Sequence, residues 1–531
     1  MKKSASFLPF LVLLLASSLA AHATIFPVGN NDVTGLKSAI TMANLNGQDD
    51  TIELAAGGVY TLSARDSFLN GLPLLGADGG HQLIIHGNGA TIQRVPAIDD
   101  SAHKFRIFQI SSGANVTLSG LTLTNGNPGA FHGGAIYNNA DETSAATLTI
   151  INCTISGSSG DYGGAIFNDG AGGAGTTATL TVMNSTISGN HAIQHGGGIW
   201  NESGAIVMNV SNSTFSNNTS AGSAGALQFD GSNGTATGSI RNCTFTQNSA
   251  VSEGGGVNVD GASGSAVLTI DTCTFNQNTA ASGGGVALDS ASVSVSNCTL
   301  SGNSATTGGG IYLSQIGGGP TTLHIGNTIL KTGASGANLA VNGGGFVSSN
   351  GYNLSSDAAG GNVSTGPGGF LDHTGDIRNT DPLLDPAGLK SNGGPTQTIA
   401  LQSNSPAIDQ GNRSTTGGTI NNDQRGEPRP FNDPLFAAPA GGDSSDIGAY
   451  EADVRVISEV RNVSDLILTF VTIVGHTYEL QSRPDLMPAT PWTTVSTSIP
   501  APPISGTGGI ISVTVPNAIG SGPGFYRLRQ F

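Results

Sequence analysis

Between residues 131 and 330, apolar and polar positions alternate in short runs, and the runs recur. A Gly-rich turn leads into an apolar strand at Gly133-Gly134-Ala135-Ile136-Tyr137, Gly163-Gly164-Ala165-Ile166-Phe167 and Gly196-Gly197-Gly198-Ile199-Trp200. The same pattern returns before Leu227, Val257, Val286 and Ile311. The third turn residue falls at positions 135, 165, 198, 226, 256, 285 and 310, a repeat of about 29 residues. A second strand lies between turns, at Cys153-Thr154-Ile155, Ser185-Thr186-Ile187, Ser213-Thr214-Phe215, Cys243-Thr244-Phe245, Cys273-Thr274-Phe275 and Cys298-Thr299-Leu300. Period-2 alternation between Gly and Asn turns is a strand signal, and no helical spacing interrupts it. The pattern predicts one coil of a parallel β-helix per repeat, with coils stacked ~4.8 Å apart. A propeller blade needs about four antiparallel strands and a longer repeat. Ile136, Ile166, Ile199, Leu227, Val257, Val286 and Ile311 are predicted to form one interior column.

The flanks read differently. Leu36, Ile40 and Ala43 have helical spacing before Gly47, which predicts a short helix capping the first edge of the stack. Residues 24–130 fit that cap and the first irregular coils, and residues 331–451 fit the last coils and a further segment. Strands are expected to dominate residues 50–450. After residue 452 Gly falls, and Leu466–Phe470, Tyr478–Leu480 and Ile510–Val513 predict a small β-sandwich-like domain, with a boundary near that residue. At the other end Lys2 and Lys3 precede an apolar run, Phe7–Leu15, and then Ala21-His22-Ala23. This layout predicts a secretory signal peptide cleaved after Ala23, a retained amphipathic anchor being the alternative. The run is too short to span a bilayer.

Composition narrows the function. Gly contributes 80 of 531 residues, which rules out a protein of long helices. Lys and Arg number 19 against 35 Asp and Glu, a net charge of −16. With no basic surplus to neutralise phosphates, a nucleic-acid partner is disfavoured. Across residues 131–330 Arg241 is the only Lys or Arg, against ten acids.

The motifs Gly351-Tyr352-Asn353-Leu354, Asp381-Pro382-Leu383-Leu384, Asn392-Gly393-Gly394-Pro395-Thr396-Gln397-Thr398, Ser405-Pro406-Ala407-Ile408-Asp409, Asp423-Gln424-Arg425-Gly426 and Asp446-Ile447-Gly448-Ala449-Tyr450-Glu451 follow the coils. On these residues and the repeat, the chain resembles right-handed parallel β-helix proteins of the pectin-lyase-like superfamily. It is most similar to secreted bacterial proteins of the choice-of-anchor Q type, with repeats like those of polymorphic outer-membrane proteins. The resemblance covers roughly residues 30–451. It implies the fold and an extracellular or cell-surface setting, and it transfers no catalytic residue.

Candidate chemistry lies on one face. From the Cys or Ser of the second strand to the next turn residue the gap is 12 or 13 residues; in the other direction it varies from 13 to 20. Solenoid insertions cluster on one face, often the binding face; unconstrained loops vary as well. Four positions after each turn residue stand Asp169, Glu202, Asp230, Asp260 and Asp289. Stacked carboxylates repel by roughly 1 kcal/mol per pair in water, so the row is either a cation site, with Ca2+ the expected ion, or a row of ordinary turn residues. Two positions after the turn residue stand Tyr137, Phe167 and Trp200, pointing outward by alternation. They read either as a sugar-binding platform or as rings stacked on one another beneath the variable loops. Cys153, Cys243, Cys273 and Cys298 share one slot; export would permit disulfides, but parallel Cβ vectors favour buried free thiols. His132, His191 and His195 flank Gly turns and read as loop residues.

Related β-helices include enzymes acting on acidic polysaccharides, which need cations that this face lacks. A glycosidase needs two carboxyl groups ~5–5.5 or ~6.5–9.5 Å apart, and an acid ladder offers both spacings. The expectation is a secreted or surface-attached β-helix with a structural, adhesive or glycan-binding role, whose partner is an extracellular polysaccharide or a neighbouring cell surface. A polysaccharide hydrolase using the acidic face is the alternative, and a lyase is less favoured.

Overall fold

The computed structural model describes Ala23 to Gln530 apart from residues 96–102, 141–143, 172–175, 203, 233, 415–417, 434–435, 453–455, 463, 472–476, 485–490, 499, 506–509 and 519–524. Of the expected signal segment, residues 1–23, all but Ala23 lies outside the described residues.

Three parallel ladders run along a β-helix. The first sheet has 12 strands, from Thr24–Val28 to Phe346–Ser349; the second has 11, from Val59–Leu62 to Leu354–Ser355. The third has nine, from Phe108–Ile110 to Leu339–Val341. A fourth, short ladder of Ser159–Tyr162, His191–His195, Thr219–Ser220 and Ser249–Ala250 fills the corner between the second and third sheets. Coils pair residue for residue: Ile166 lies opposite both Ile136 and Ile199. The predicted column from Ile136 to Ile311 is interior and wholly buried. Phe108 and Leu339 extend it at the two ends. Phe215, Phe245 and Phe275 form a second column of stacked, nearly parallel rings with centroids 4.7 Å apart.

Corners are made by polar side chains. Between the first and second sheets Asn152, Asn184, Asn212, Asn242 and Asn297 adopt φ of 50–53°, a left-handed conformation that Asn tolerates. The next residue is the Cys or Ser slot. Its Sγ or Oγ bonds the carbonyl two residues back, as Cys243 does to Arg241 O at 3.0 Å and Ser213 to Ser211 O at 2.7 Å. It also accepts the N–H of the preceding coil's slot residue, as in Cys243 N–H to Cys273 Sγ at 3.4 Å. The four cysteines are buried and free.

At the following corner Asn190, Asn218, Asn248, Asn278 and Asn303 form a buried ladder. Each Nδ2 donates both to a strand carbonyl and, except at the last rung, to the next Asn Oδ1; for Asn248 these are Phe215 O at 3.0 Å and Asn278 Oδ1 at 2.9 Å. At the Gly turn, coils approach so closely that a Cβ on Gly134 would sit 1.9 Å from Gly164 O. Close approach, rather than flexibility, explains the second Gly of the repeat.

Helix Val33–Ala43 is capped by Asp32, whose carboxylate accepts the Gly35 N–H at 2.7 Å. Leu36, Ala39, Ile40 and Ala43 are buried in the core that the first coils share. After Ser355 the parallel ladders stop. The described residues of 356–451 hold isolated bridges and loops, so strands do not dominate to residue 450 as expected. Pro, Gly and Asn are frequent there, and side chains meet the backbone groups instead. Beyond Val456 the strands are antiparallel and enclose a separate core of Leu466, Leu468, Phe470, Tyr478, Leu480 and Val513.

Candidate functional site

The outer side of the third sheet begins at the residue just before each Gly-Gly turn. That residue is His132, Tyr162 and His195 in three consecutive coils, and Ser223, Glu253 and Ser282 in the next three. Tyr162 pairs with His195 in the short fourth ladder, and Gly turns fix the backbone on the following residue. The sequence reading took these histidines as loop residues and did not single out Tyr162. The signal was their common place before Gly-Gly.

These rings form a roof. His132 stacks on Phe167 with centroids 4.7 Å apart at 21°, and Tyr162 stacks on His195 at 5.7 Å and 19°. Tyr162 also meets the edges of His132 and Trp200 at 5.1 and 4.7 Å. Tyr137, Phe167 and Trp200 do point outward, but they lie one layer below the roof. Phe167 is 1% exposed and Trp200 8%. Tyr137 is half-buried, donates its hydroxyl to Asp169 Oδ2 at 2.7 Å and lies under the Arg106 guanidinium, 5.1 Å from the ring centre. They therefore serve as the floor and present no open platform. Pairs of this kind add about 0.5–1.5 kcal/mol each beyond burial.

The roof keeps polar edges. His195 Nδ1 accepts the Ser223 N–H at 2.9 Å, so the neutral ring carries its proton on Nε2. Burial lowers the pKa of His195 and of His132. Tyr162 donates its hydroxyl to Gln194 Oε1 at 2.9 Å, and Gln194 Nε2 reaches Asp161 at 3.3 Å. Beside this group Phe131 is 45% exposed and Phe68 76%, their rings edge to face at 6.1 Å.

The acid row is aligned as the spacing predicts. Asp169 pairs in register with Glu202, Asp230 with Asp260, and Asp260 with Asp289. The carboxylates fold back on their own loops or on the neighbouring one. Asp169 Oδ1 accepts from Ala171 N, Asp230 Oδ1 from Ser232 N and Asp260 Oδ1 from Ala262 N, at 2.7–2.9 Å. Asp289 Oδ1 accepts from Ile316 N at 2.9 Å. These are turn-capping roles. Among the described residues no three His, Cys, Asp or Glu side chains gather into a metal-binding group. The residues expected to hold Ca2+ thus line one edge without forming an ion cage, because loop N–H groups take up their oxygens. Glu202 differs. Burial first, then the Asp169 and Asp230 carboxylates, push its carboxyl up to about 7.

Of the motifs after the coils, Gly351-Tyr352-Asn353-Leu354 belongs to the last coil, and those from Asn392 onward lie on the outer side of the second sheet. Gln424 donates Nε2 to Thr244 Oγ1 at 2.9 Å and accepts from Thr274 Oγ1 at 2.6 Å. Thr299 Oγ1 accepts from Ala449 N at 3.0 Å. Beneath them Arg429 pairs with Glu451 at 2.9 Å and Arg425 with Asp423 at 2.7 Å, all four side chains buried. Asp446 accepts the Asp409 N–H at 2.8 Å, and burial with the nearby Glu451 holds its carboxyl well above the ordinary range. These residues clasp the tail onto the coils.

A family model described as a right handed beta helix region matches residues 205–371. Residues 24–355 fold as a right-handed parallel β-helix. The match covers the coils of Asp230, Asp260 and Asp289 and begins after the ring cluster. A search of curated proteins returns no match.

Proposed function

We propose that the chain is an exported β-helix protein, secreted or held at the cell surface, that binds neutral carbohydrate on the outer side of its third sheet. One observation carries this reading: His132, Tyr162 and His195 occupy consecutive coils, packed against a buried aromatic floor that fixes them. Sugar rings offer C–H faces to aromatic rings and hydroxyls to fixed acceptors, and Tyr162, Gln194 and Asp161 supply both along one edge. Phe131 and Phe68 continue the apolar strip. The scarcity of Lys and Arg between residues 131 and 330 disfavours polyuronate. Among the described residues no helix is long and apolar enough to cross a membrane.

The test is a glycan array with the exported protein, repeated with Tyr162→Ala. The expected result is binding to neutral glycans that weakens at least about tenfold in the variant, ~1.4 kcal/mol. Binding to acidic glycans alone, or equal binding by the variant, overturns the reading.

A second reading rests on Glu202. A carboxyl held near neutrality beside two further carboxylates suits the general acid of a glycosidase. New reducing ends released from a bound glycan, and their loss in Glu202→Gln with binding retained, would favour it. Binding without turnover favours the first reading.

A further inference from the structure

Strand Thr24–Val28 is the outermost strand of the first sheet and pairs on one side only, with Asp50–Leu54. Thr24 lies opposite Asp50, and its N–H donates to Asp49 O at 3.2 Å. Ala23, just before it, is exposed. Asp50 is 2% exposed. Its Oδ1 accepts from Asn46 Nδ2 at 2.9 Å, and among the described residues no donor meets Oδ2.

A buried carboxylate oxygen without a donor is costly, and the surroundings add to the cost. Asp78 accepts the Gly47 and Gln48 N–H groups at 3.0 and 3.2 Å, and Asp49 accepts the Gln82 N–H at 2.8 Å. His81 faces Asp49 at 3.3 Å, and Lys37 of the capping helix pairs with Asp66. Burial pushes the Asp50 carboxyl up and the Asn46 amide draws it down. After these, Asp78 and Asp49 raise it, while the Thr24 N–H lowers it. Among the described residues no cation pairs with Asp50, and Thr24, whose main-chain N–H bears on its carboxyl, lies opposite it.

We propose that cleavage between Ala23 and Thr24 supplies that cation, the new α-ammonium of Thr24 keeping its bond to Asp49 O and donating a second proton to Asp50 Oδ2. Water adds across the peptide bond, the reaction of an export peptidase, leaving the Ala23 carboxylate and the Thr24 ammonium. One amide proton becomes three, so both acceptors are met at once. Processing then fastens the first strand to the solenoid, and the unprocessed chain keeps a weaker first coil. The proposal rests on the export reading of residues 1–23 and is independent of what the third sheet binds.

The experiment exports the full chain from a bacterial host and sequences the N-terminus of the released protein. The expected first residue is Thr24; any other start overturns the proposal and leaves glycan binding untouched. The α-amine is then titrated by the pH dependence of its labelling with an amine-reactive ester, read on the N-terminal peptide. Its pKa should lie at least about one unit above the usual 7.7–8.0. Asp50→Asn should return it to that range. Should Asp50→Asn not be exported, one Ala inserted after Ala23 with Asp50 intact moves the ammonium along by ~3.3 Å and should have the same effect. An ordinary α-amine pKa in the native protein, or one that neither change shifts, overturns the pairing.

Discussion

The outer sides of the second and third sheets belong to the same coils and have opposite fates. On the second sheet, Thr154, Thr186 and Thr214 are half-buried, whereas Thr244, Thr274 and Thr299, at the same slot in later coils, are buried beneath the tail. There Gln424, Arg429 and Glu451 replace solvent with a fixed polar network. Among the described residues no such cover lies over the ring row of the third sheet, and its acids cap their own turns or, at Asp289, the neighbouring one. The most distinctive motifs of the sequence are thus a structural clasp. The residues with chemistry to offer sit where the repeat is least regular. A covered face can hold charge only by pairing it; an open face can hold unpaired polar edges because water or a ligand meets them.

The largest expected effect breaks the covered face. Arg429→Ala leaves Glu451 buried beside Asp446 without its guanidinium, and losing one partner of a buried pair costs about 3–5 kcal/mol. Denaturant unfolding should show that loss, and limited proteolysis should release tail peptides from residues 380–451. An unchanged midpoint would mean that the clasp contributes little.

The open face predicts a pH effect. Glu202 titrates at about 7 in the folded chain against 4.5 as its ordinary value, so the folded state holds that proton more tightly than the unfolded one. Its contribution is full below pH ~4.5 and is lost as pH rises through ~7, by up to about 3 kcal/mol. Asp230, Glu253 and Asp260, also pushed up mainly by burial, act in the same direction. Glu202→Gln should therefore flatten the stability profile between those limits without abolishing it. Identical slopes in the two proteins would contradict the burial of that carboxyl.

A third test concerns the corner that both faces depend on. Asn248→Ala leaves the Asn218 N–H groups, Asn278 Oδ1 and the Phe215 carbonyl without their side-chain partner, at a cost of about 2 kcal/mol. Hydrogen exchange should rise first at Thr219 and Ser249, the strand ends beside it. The smallest effect is Cys243→Ser. Ser185 and Ser213 already fill that slot with the same bond pattern, so the change should stay within about 1 kcal/mol. Thiol titration of the unfolded chain should find all four cysteines free; finding none would show disulfides in their place.

Much of the fold was readable. A column such as Ile136 to Ile311 recurs at one slot and alternates with polar neighbours, so its inward face follows from strand geometry. The helix Val33–Ala43 was visible in Leu36, Ile40 and Ala43 before Gly47. Asn190, Asn218, Asn248, Asn278 and Asn303 also recur, yet Asn is equally at home in exposed turns, and the ladder went unread. The site was legible in part. Alternation correctly turned Tyr137, Phe167 and Trp200 outward, but it says nothing about what lies above them, and His132, Tyr162 and His195 roof them from another strand.

By itself the sequence determined the coil, its register and the interior columns, because these depend on spacing within one repeat and on pairing between identical slots. It also determined that the acids of the third sheet align. Which outer side stays open was decided by tertiary structure alone. The tail returns to the second sheet from 150 or more residues away, where Gln424 and Ala449 meet Thr274 and Thr299. No local pattern encodes a contact of that separation; it forms because the Thr row of the second sheet and the Gln424 amide and main-chain groups of the tail satisfy one another only when brought together.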